Sequence, residues 1–323
     1  VKPECRGGLG LDGLWSDDFH HQMRRLLADD RDGYFADFAG TVPEVVLTAS
    51  RGWFYWGQYS HYFGRQRGSN PDGIPASRFV FFLQNHDQVG NRAFGERLHH
   101  QIDAAAWRAA SVLLLVLPQT PLLFMGQEWA ATSPFQFFTD HHAELGALVR
   151  EGRRGEFSRF AAFADPDVRE RIPDPQAEET FMASRLAWDE RTREPHASVL
   201  RLYTDLLAMR HRSATLGGSS CARAEIASID DSSLAVRRRN GSGPDWLVVV
   251  RFKGGGQVRL SRSSFATRLD DRRWTVALTT EDETYAPDPR PIDIDADSMV
   301  MSFDRPGAVV LRGDRILSPR GQP

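Results

Sequence analysis

The chain has 323 residues, 41% hydrophobic and 26% charged, the composition of a folded globular protein with room for two domains. Its 40 basic and 43 acidic residues leave a net charge of −3, so there is no electrostatic basis for a nucleic-acid or anionic-membrane partner. Two cysteines, Cys5 and Cys221, lie far apart, outside any metal-ligand spacing, and suit a reducing cytoplasm. No apolar leader opens the sequence, and the longest apolar run, Val112 to Leu117, is too short to span a bilayer.

Along the chain, Leu9 to Trp15 reads as a short buried strand. Ser16-Asp17-Asp18 supplies an N-cap and an acidic first turn for an amphipathic helix from Phe19 to about Ala28. Pro43 to Leu47 opens another helix, with proline near its first turn. Residues 51–78, rich in Gly, Tyr, Trp, Arg and Asn, read as a long loop. A buried strand at 79–84 precedes a helix near 103–116 capped by Asp103, and Thr120 to Met125 reads as one more short strand. A long insertion from Ala130 to about Leu186 contains a helical stretch, Ala143 to Glu151, and 196–211 forms a further amphipathic helix.

After Leu216-Gly217-Gly218 the pattern changes to short β-type runs: 222–229, 234–239, 246–252, 257–260, 274–279, 298–303 and 308–312. Turn signals such as Asn240-Gly241 separate them, which argues for an antiparallel β-sandwich or half-barrel. Trp246, Val248 and Val250 alternate with Leu247 and Val249, so both faces of that run are apolar, as in a central strand. The division is therefore an α/β part over 1–215 and an all-β part over 216–323.

The most informative stretch is Phe79-Val80-Phe81-Phe82-Leu83-Gln84-Asn85-His86-Asp87-Gln88-Val89-Gly90-Asn91-Arg92. A bulky apolar strand ends in a packed set of hydrogen-bonding groups with a carboxylate at its tip, the way a β/α barrel presents catalytic residues. Asn-His-Asp there resembles the third catalytic-carboxylate motif of the α-amylase superfamily of retaining glycosidases, and the longer run resembles its trehalohydrolase subfamily. Leu11-Asp12-Gly13-Leu14-Trp15-Ser16-Asp17-Asp18-Phe19-His20-His21 is similar to that subfamily's sixth strand and helix, 79–92 to the seventh, and 120–129 to the eighth. The resemblance covers essentially the whole chain. It implies a partial (β/α)8 barrel, strands six to eight, followed by an antiparallel C-terminal β domain. Three units cannot close a barrel of roughly 250 residues, so the N-terminal barrel half is expected upstream or in another chain.

Retaining hydrolysis needs a nucleophile and an acid about 5–5.5 Å apart. The resemblance assigns both to the fourth and fifth strands, which this chain lacks. Glu4 precedes the first strand, but its Pro-Glu-Cys-Arg context does not match the acid motif, and it reads as a linker residue. Asp87 matches the third carboxylate, expected to grip sugar hydroxyls and to hold a neighbouring acid protonated. His86 and Asn85 belong to the same subsite. Of Asp17 and Asp18, one complements the helix dipole, and the other lines the acceptor side with Trp15. Arg92 reads equally as a carboxylate partner or a solvent-facing cation. Glu128 is expected to meet a sugar hydroxyl. Asp140, in Phe137-Phe138-Thr139-Asp140-His141, and Arg153, in Gly152-Arg153-Arg154-Gly155-Glu156-Phe157, lie in motifs similar to subfamily loops and are assigned to the substrate side.

The histidine pairs 20–21, 99–100 and 141–142 point about 100° apart on a helix, so no metal site and no cofactor is expected. Three functions follow. The first is hydrolysis of the α-1,4 bond beside the terminal trehalose of maltooligosyl trehalose, or a related α-glucan. The second is transfer to a sugar hydroxyl, as in a branching enzyme. The third is a non-catalytic carbohydrate-binding or interaction remnant.

Overall fold

A computed structural model describes residues 1–157, 165–217, 223–241, 243–260, 269, 272–295 and 297–316. Gly218 at the expected domain boundary, Cys221, Ala222 at the start of the 222–229 run, 158–164 of the long insertion, and 317–323 lie outside the described residues.

The first part runs β1 (Leu14–Trp15), α1 (Asp17–Leu27), α2 (Val42–Arg51), β2 (Trp56–Ser60), β3 (Arg65–Gly68), β4 (Phe79–Phe81) and α3 (His86–Gly90). It continues through α4 (Ala104–Val116), β5 (Thr120–Pro121), α5 (Ala143–Phe157), α6 (Pro166–Glu170), α7 (Glu178–Ala183) and α8 (His196–Arg212). β4 is the middle strand of a parallel sheet: Leu14 and Trp15 lie opposite Phe79 and Val80, and Val80 and Phe81 lie opposite Thr120 and Pro121. The regular ladder is shorter than the apolar runs that predict it. One further bond extends each pairing, from Ser16 N–H to Val80 O at 2.9 Å and from Leu122 N–H to Phe81 O at 2.8 Å. Beyond these the backbone leaves the sheet to build the strand-end loops.

Local signals hold where a side chain meets its own backbone. Asp103 caps α4, accepting from the amides of Ala105 and Ala106 at 2.7 and 3.3 Å. Pro43 sits in the first turn of α2. Ser16 differs: its hydroxyl donates to Gly52 O at 2.9 Å and does not cap α1. Gly52 ends α2 at a φ of +81°, and a Cβ there would strike the Phe79 ring, so this glycine lets α2 close against β4. Residues 51–78 are not simply a loop, because β2 and β3 pair antiparallel within them. Asp37 orders this hairpin from outside, accepting from Tyr55 Oη at 2.8 Å, His61 N–H at 3.0 Å and the Ser60 hydroxyl.

Beyond 223 the strands are β6 (Arg223–Asp230), β7 (Ser233–Arg239), β8 (Asp245–Arg251), β9 (Gly256–Arg259), β10 (Arg272–Thr279), β11 (Asp293–Asp295), β12 (Val300–Phe303) and β13 (Gly307–Arg315). Five form an antiparallel sheet in the order β10-β13-β8-β7-β6, and three form a second sheet, β11-β12-β9. The acidic segment β11 has no apolar alternation to announce it. β8 is central, as its two apolar faces require. Leu234, Val236, Val248, Val250 and Val310 join the core formed by α1, α4 and α8. Ala235, Leu247, Val249, Val309 and Leu311 pack on Val258, Met301 and Phe303 of the smaller sheet. At the edge, β10 leaves Val276 half exposed.

The junction of the two parts is polar at its centre. Every residue from Ala105 to Val116 is buried, so the last carbonyls of α4 have no water to bond. Arg210 of α8 donates to Leu115 O and Leu117 O at 2.8 and 2.7 Å, and Arg238 of β7 donates to Val116 O and Thr215 O at 2.7 and 2.8 Å. Burial lowers the Arg238 guanidinium to about 10, still charged at neutral pH. Two cations at a helix C-terminus also complement its dipole.

Arg238→Met should therefore strip two buried carbonyls of their donor and cost about 2–5 kcal/mol in urea denaturation. Arg312→Ala removes an exposed ion pair and should stay within about 0.5 kcal/mol. A loss below about 1 kcal/mol at Arg238 would contradict this account.

Candidate active site

The three parallel strands end side by side, and each carries a polar segment at its C-terminal end: Ser16 to Asp18, Gln84 to Asp87, and Gln127-Glu128. Asn85 ends the middle segment's extended backbone and caps α3, its side-chain oxygen accepting from Gln88 N–H at 2.8 Å. Gln84 is fully buried and accepts from Leu98 N–H at 2.9 Å, fixing the segment from below. His86 and Asp87 follow in the first turn of α3, their side chains 55% and 65% exposed, with Nε2 of the histidine 3.5 Å from the carboxylate. Trp15, itself partly exposed, stands edge-on to His86, with ring centres 5.9 Å apart.

A cleft of about 370 Å³ opens here, lined by Asp17, Asp18, Asp87 and Gln88, with His21, Tyr34, Trp53 and Asn91, and with Phe63 and Arg67 from the β2–β3 hairpin. Arg67 lies over the Phe63 and Tyr55 rings, its guanidinium carbon 4.0 and 4.9 Å from their centres. Burial raises the Asp17 carboxyl above its ordinary value, the charge of Asp87 adds to the rise, and a Gln88 hydrogen bond and Arg67 oppose it. Asp18 is 2% exposed and accepts from the amides of Phe54 and Tyr55 at 2.8 and 3.2 Å. Burial pushes it up to about 6 despite those bonds. Burial, and then Arg67, lower His21 to about 3, so its ring is neutral. The cleft thus offers three carboxyl groups, one guanidinium and aromatic faces, a set suited to the hydroxyls and apolar faces of a sugar.

The other residues singled out in the sequence lie elsewhere. Arg92 pairs with Glu96 at 2.6 Å and Asp30 at 3.2 Å. Arg153 is 7% exposed and donates to backbone carbonyls. Glu128 lies near Arg97, which feels its charge, and its Oε2 is buried with no hydrogen-bond partner among the described residues. Asp140 lines a separate cavity of about 570 Å³ with Phe138, Gln176 and Phe181. Glu4 is exposed and is not among the residues lining the Asp87 cleft. The sequence reading missed Phe63 and Arg67, whose only signal was the aromatic, arginine-rich composition of 51–78.

Among the described residues no group of three or more His, Cys, Asp or Glu side chains is arranged to hold a metal ion, and no helix is long and apolar enough to cross a membrane. His20 is instead buried, with Nδ1 2.5 Å from Leu83 O, and both His99 and His100 meet Ala131 O through Nε2 at 2.9 and 2.8 Å.

No family model matches the chain. A malto-oligosyltrehalose trehalohydrolase of Deinococcus radiodurans is 48% identical over 208 residues, 64% of this chain and 34% of that protein. The chain is homologous to the malto-oligosyltrehalose trehalohydrolases. The enzyme of that name from Rhizobium sp. is 37% identical over 285 residues, 87% of this chain and 44% of its own length. The chain spans between about a third and a half of the length of these trehalohydrolases. Among solved structures, a candidate alpha amylase from Salmonella typhimurium matches with a TM-score of 0.73 and 28% identity, covering 94% of this chain and 47% of that one. The structural neighbours are thus α-amylase-type proteins, and the homology supports a glycoside hydrolase family.

Asp18 gives a pH test. Its folded value lies above the ordinary 3.8, so the folded state favours the protonated acid. Stability from this group is fully present below about pH 4 and falls as pH rises through about 6. Asp18→Asn keeps an acceptor oxygen without the charge. Relative to the parent it should gain on the order of 3 kcal/mol between pH 4 and pH 7 in denaturant titrations. A constant difference across that range would refute the assignment.

Proposed function

We propose that this chain supplies the third carboxylate and part of the sugar cleft of a retaining glycosidase that releases trehalose from maltooligosyl trehalose. The observation that carries the reading is Asp87, at the end of the middle parallel strand behind Asn85 and His86, facing a cleft in which the neighbouring carboxyl of Asp17 feels its charge. The trehalohydrolase homology supports this substrate class.

In this reading Asp87 and His86 grip the hydroxyls of the distorted ring, and Asp87 strengthens its hold as positive charge develops at the anomeric carbon. Trp15 offers a ring face on the acceptor side, and Arg67 and Phe63 narrow the cleft. The nucleophile and general acid come from two preceding parallel strands, which would add to the free edge of β1 and continue the sheet towards a closed barrel. Leu14 and Trp15 are partly exposed along that edge, as strands awaiting neighbours would be.

Two outcomes follow. Purified 1–323 should release no trehalose from maltooligosyl trehalose by chromatographic assay, and release that disappears on Asp87→Asn would overturn the division of the site. In a polypeptide that includes the preceding barrel strands, Asp87→Asn should lower kcat and kcat/KM together, by about 3 kcal/mol of barrier, because the lost charge acts in the transition state. Activity within tenfold of the parent would contradict the role.

A further inference from the structure

Asp87 rides on α3, a helix of five residues, too short to hold its shape by its own hydrogen bonds. Its N-terminal end is fixed by Asn85, whose side chain accepts from Gln88 N–H. The carbonyls of Gly90, at its C-terminal end, and of Arg92, just past it, take side-chain donors from a distant segment. They come from 61–63 residues away: Arg153 of α5 sends Nη2 to Gly90 O at 2.7 Å and to Arg92 O at 2.9 Å. The guanidinium is itself locked. It is 7% exposed and stands against the Phe137 and Phe157 rings, its carbon 4.8 and 5.2 Å from their centres. α5 is tied in turn to the segment before α7 by Arg150 and Asp174, 2.6 Å apart.

We propose that Arg153 is a positioning residue for Asp87: it clamps the Gly90 and Arg92 carbonyls, fixes the far end of α3, and so sets where the Asp87 carboxylate stands in the cleft. This rests on the reading of Asp87 given above. It differs from a substrate contact, because both bonds run to backbone and the side chain is walled in by rings. A fork of donors on a planar cation suits the task, since one Nη2 spans two carbonyls. Lysine keeps the charge and a donor but not the plane, and methionine keeps only the bulk.

The test has two arms. The first needs no activity: amide exchange by NMR in 1–323, comparing Arg153→Met with the parent. Asn91, Arg92 and Gly95 donate within this turn, to Asp87 O, Val89 O and Arg92 O, and their protection should fall at least tenfold, with β7 and β8 unchanged. Unchanged protection of the turn would overturn the clamp, and loss spread equally through β7 and β8 would overturn its local character. The second arm uses the polypeptide that includes the preceding barrel strands. Arg153→Met should lower kcat 10- to 100-fold with KM within threefold, and Arg153→Lys should recover part of the loss. The double variant with Asp87→Asn should be no slower than Asp87→Asn alone. Multiplied losses in the double variant, or a change confined to KM, would overturn the proposal. If Asp87→Asn alone left activity intact, the reading of Asp87 would fail while the exchange arm still judged the clamp.

Discussion

A helix with no exposed side must have its end carbonyls answered from within the protein, and α4 is that helix here. Arg210 and Arg238 answer them, one from the last helix of the α/β part and one from the second strand of the β sheet. Both parts are thereby indexed to one stretch of backbone, Arg210 holding the Leu115 and Leu117 carbonyls and Arg238 the Val116 carbonyl between them. A second buried tie follows the same logic: Arg108, near the start of α4, meets Glu281 at 2.5 Å, and Glu281 also holds Arg305 at 2.6 Å. Such pairs contribute little net energy when exposed but break expensively when buried, so they specify one arrangement more than they deepen it.

The cleft inherits its precision from that frame. β4 is held on both sides by parallel neighbours, and Phe81 stacks on Phe19 with ring centres 4.4 Å apart. The strand therefore delivers Asn85, His86 and Asp87 from a rigid base. Asp18 acts from below the surface: its carboxylate gathers the Phe54 and Tyr55 amides and steers the chain into the β2–β3 hairpin that brings Phe63 and Arg67 over the cleft.

What could be read in the sequence was local chemistry and periodicity. The Asp103 cap, the apolar α4, the two-faced Trp246–Val250 run and the carboxylate after an apolar strand each depend on near neighbours. What could not be read depends on partners far along the chain. Ser16 looks like an N-cap, yet a better acceptor, Gly52 O, lies beside it once α2 folds back. The β2–β3 hairpin lacks strong alternation because Asp37, not a hydrophobic face, orders it. Arg153 sits in a motif read as substrate-side, and only tertiary contact with Gly90 and Arg92 reveals its partners.

The five-stranded sheet has consequences for how the chain can be divided. Its two faces belong to different cores, one shared with α4 and α8 and the other with the small sheet. A cut near residue 217 would fall at a clean change of pattern, yet it would bare Leu234, Val236, Val248, Val250 and Val310 to water. The β domain is thus a topological unit without being an independent thermodynamic one. Removing it would leave α4 and α8 facing water across the same surface, so the apolar face between them couples the two parts.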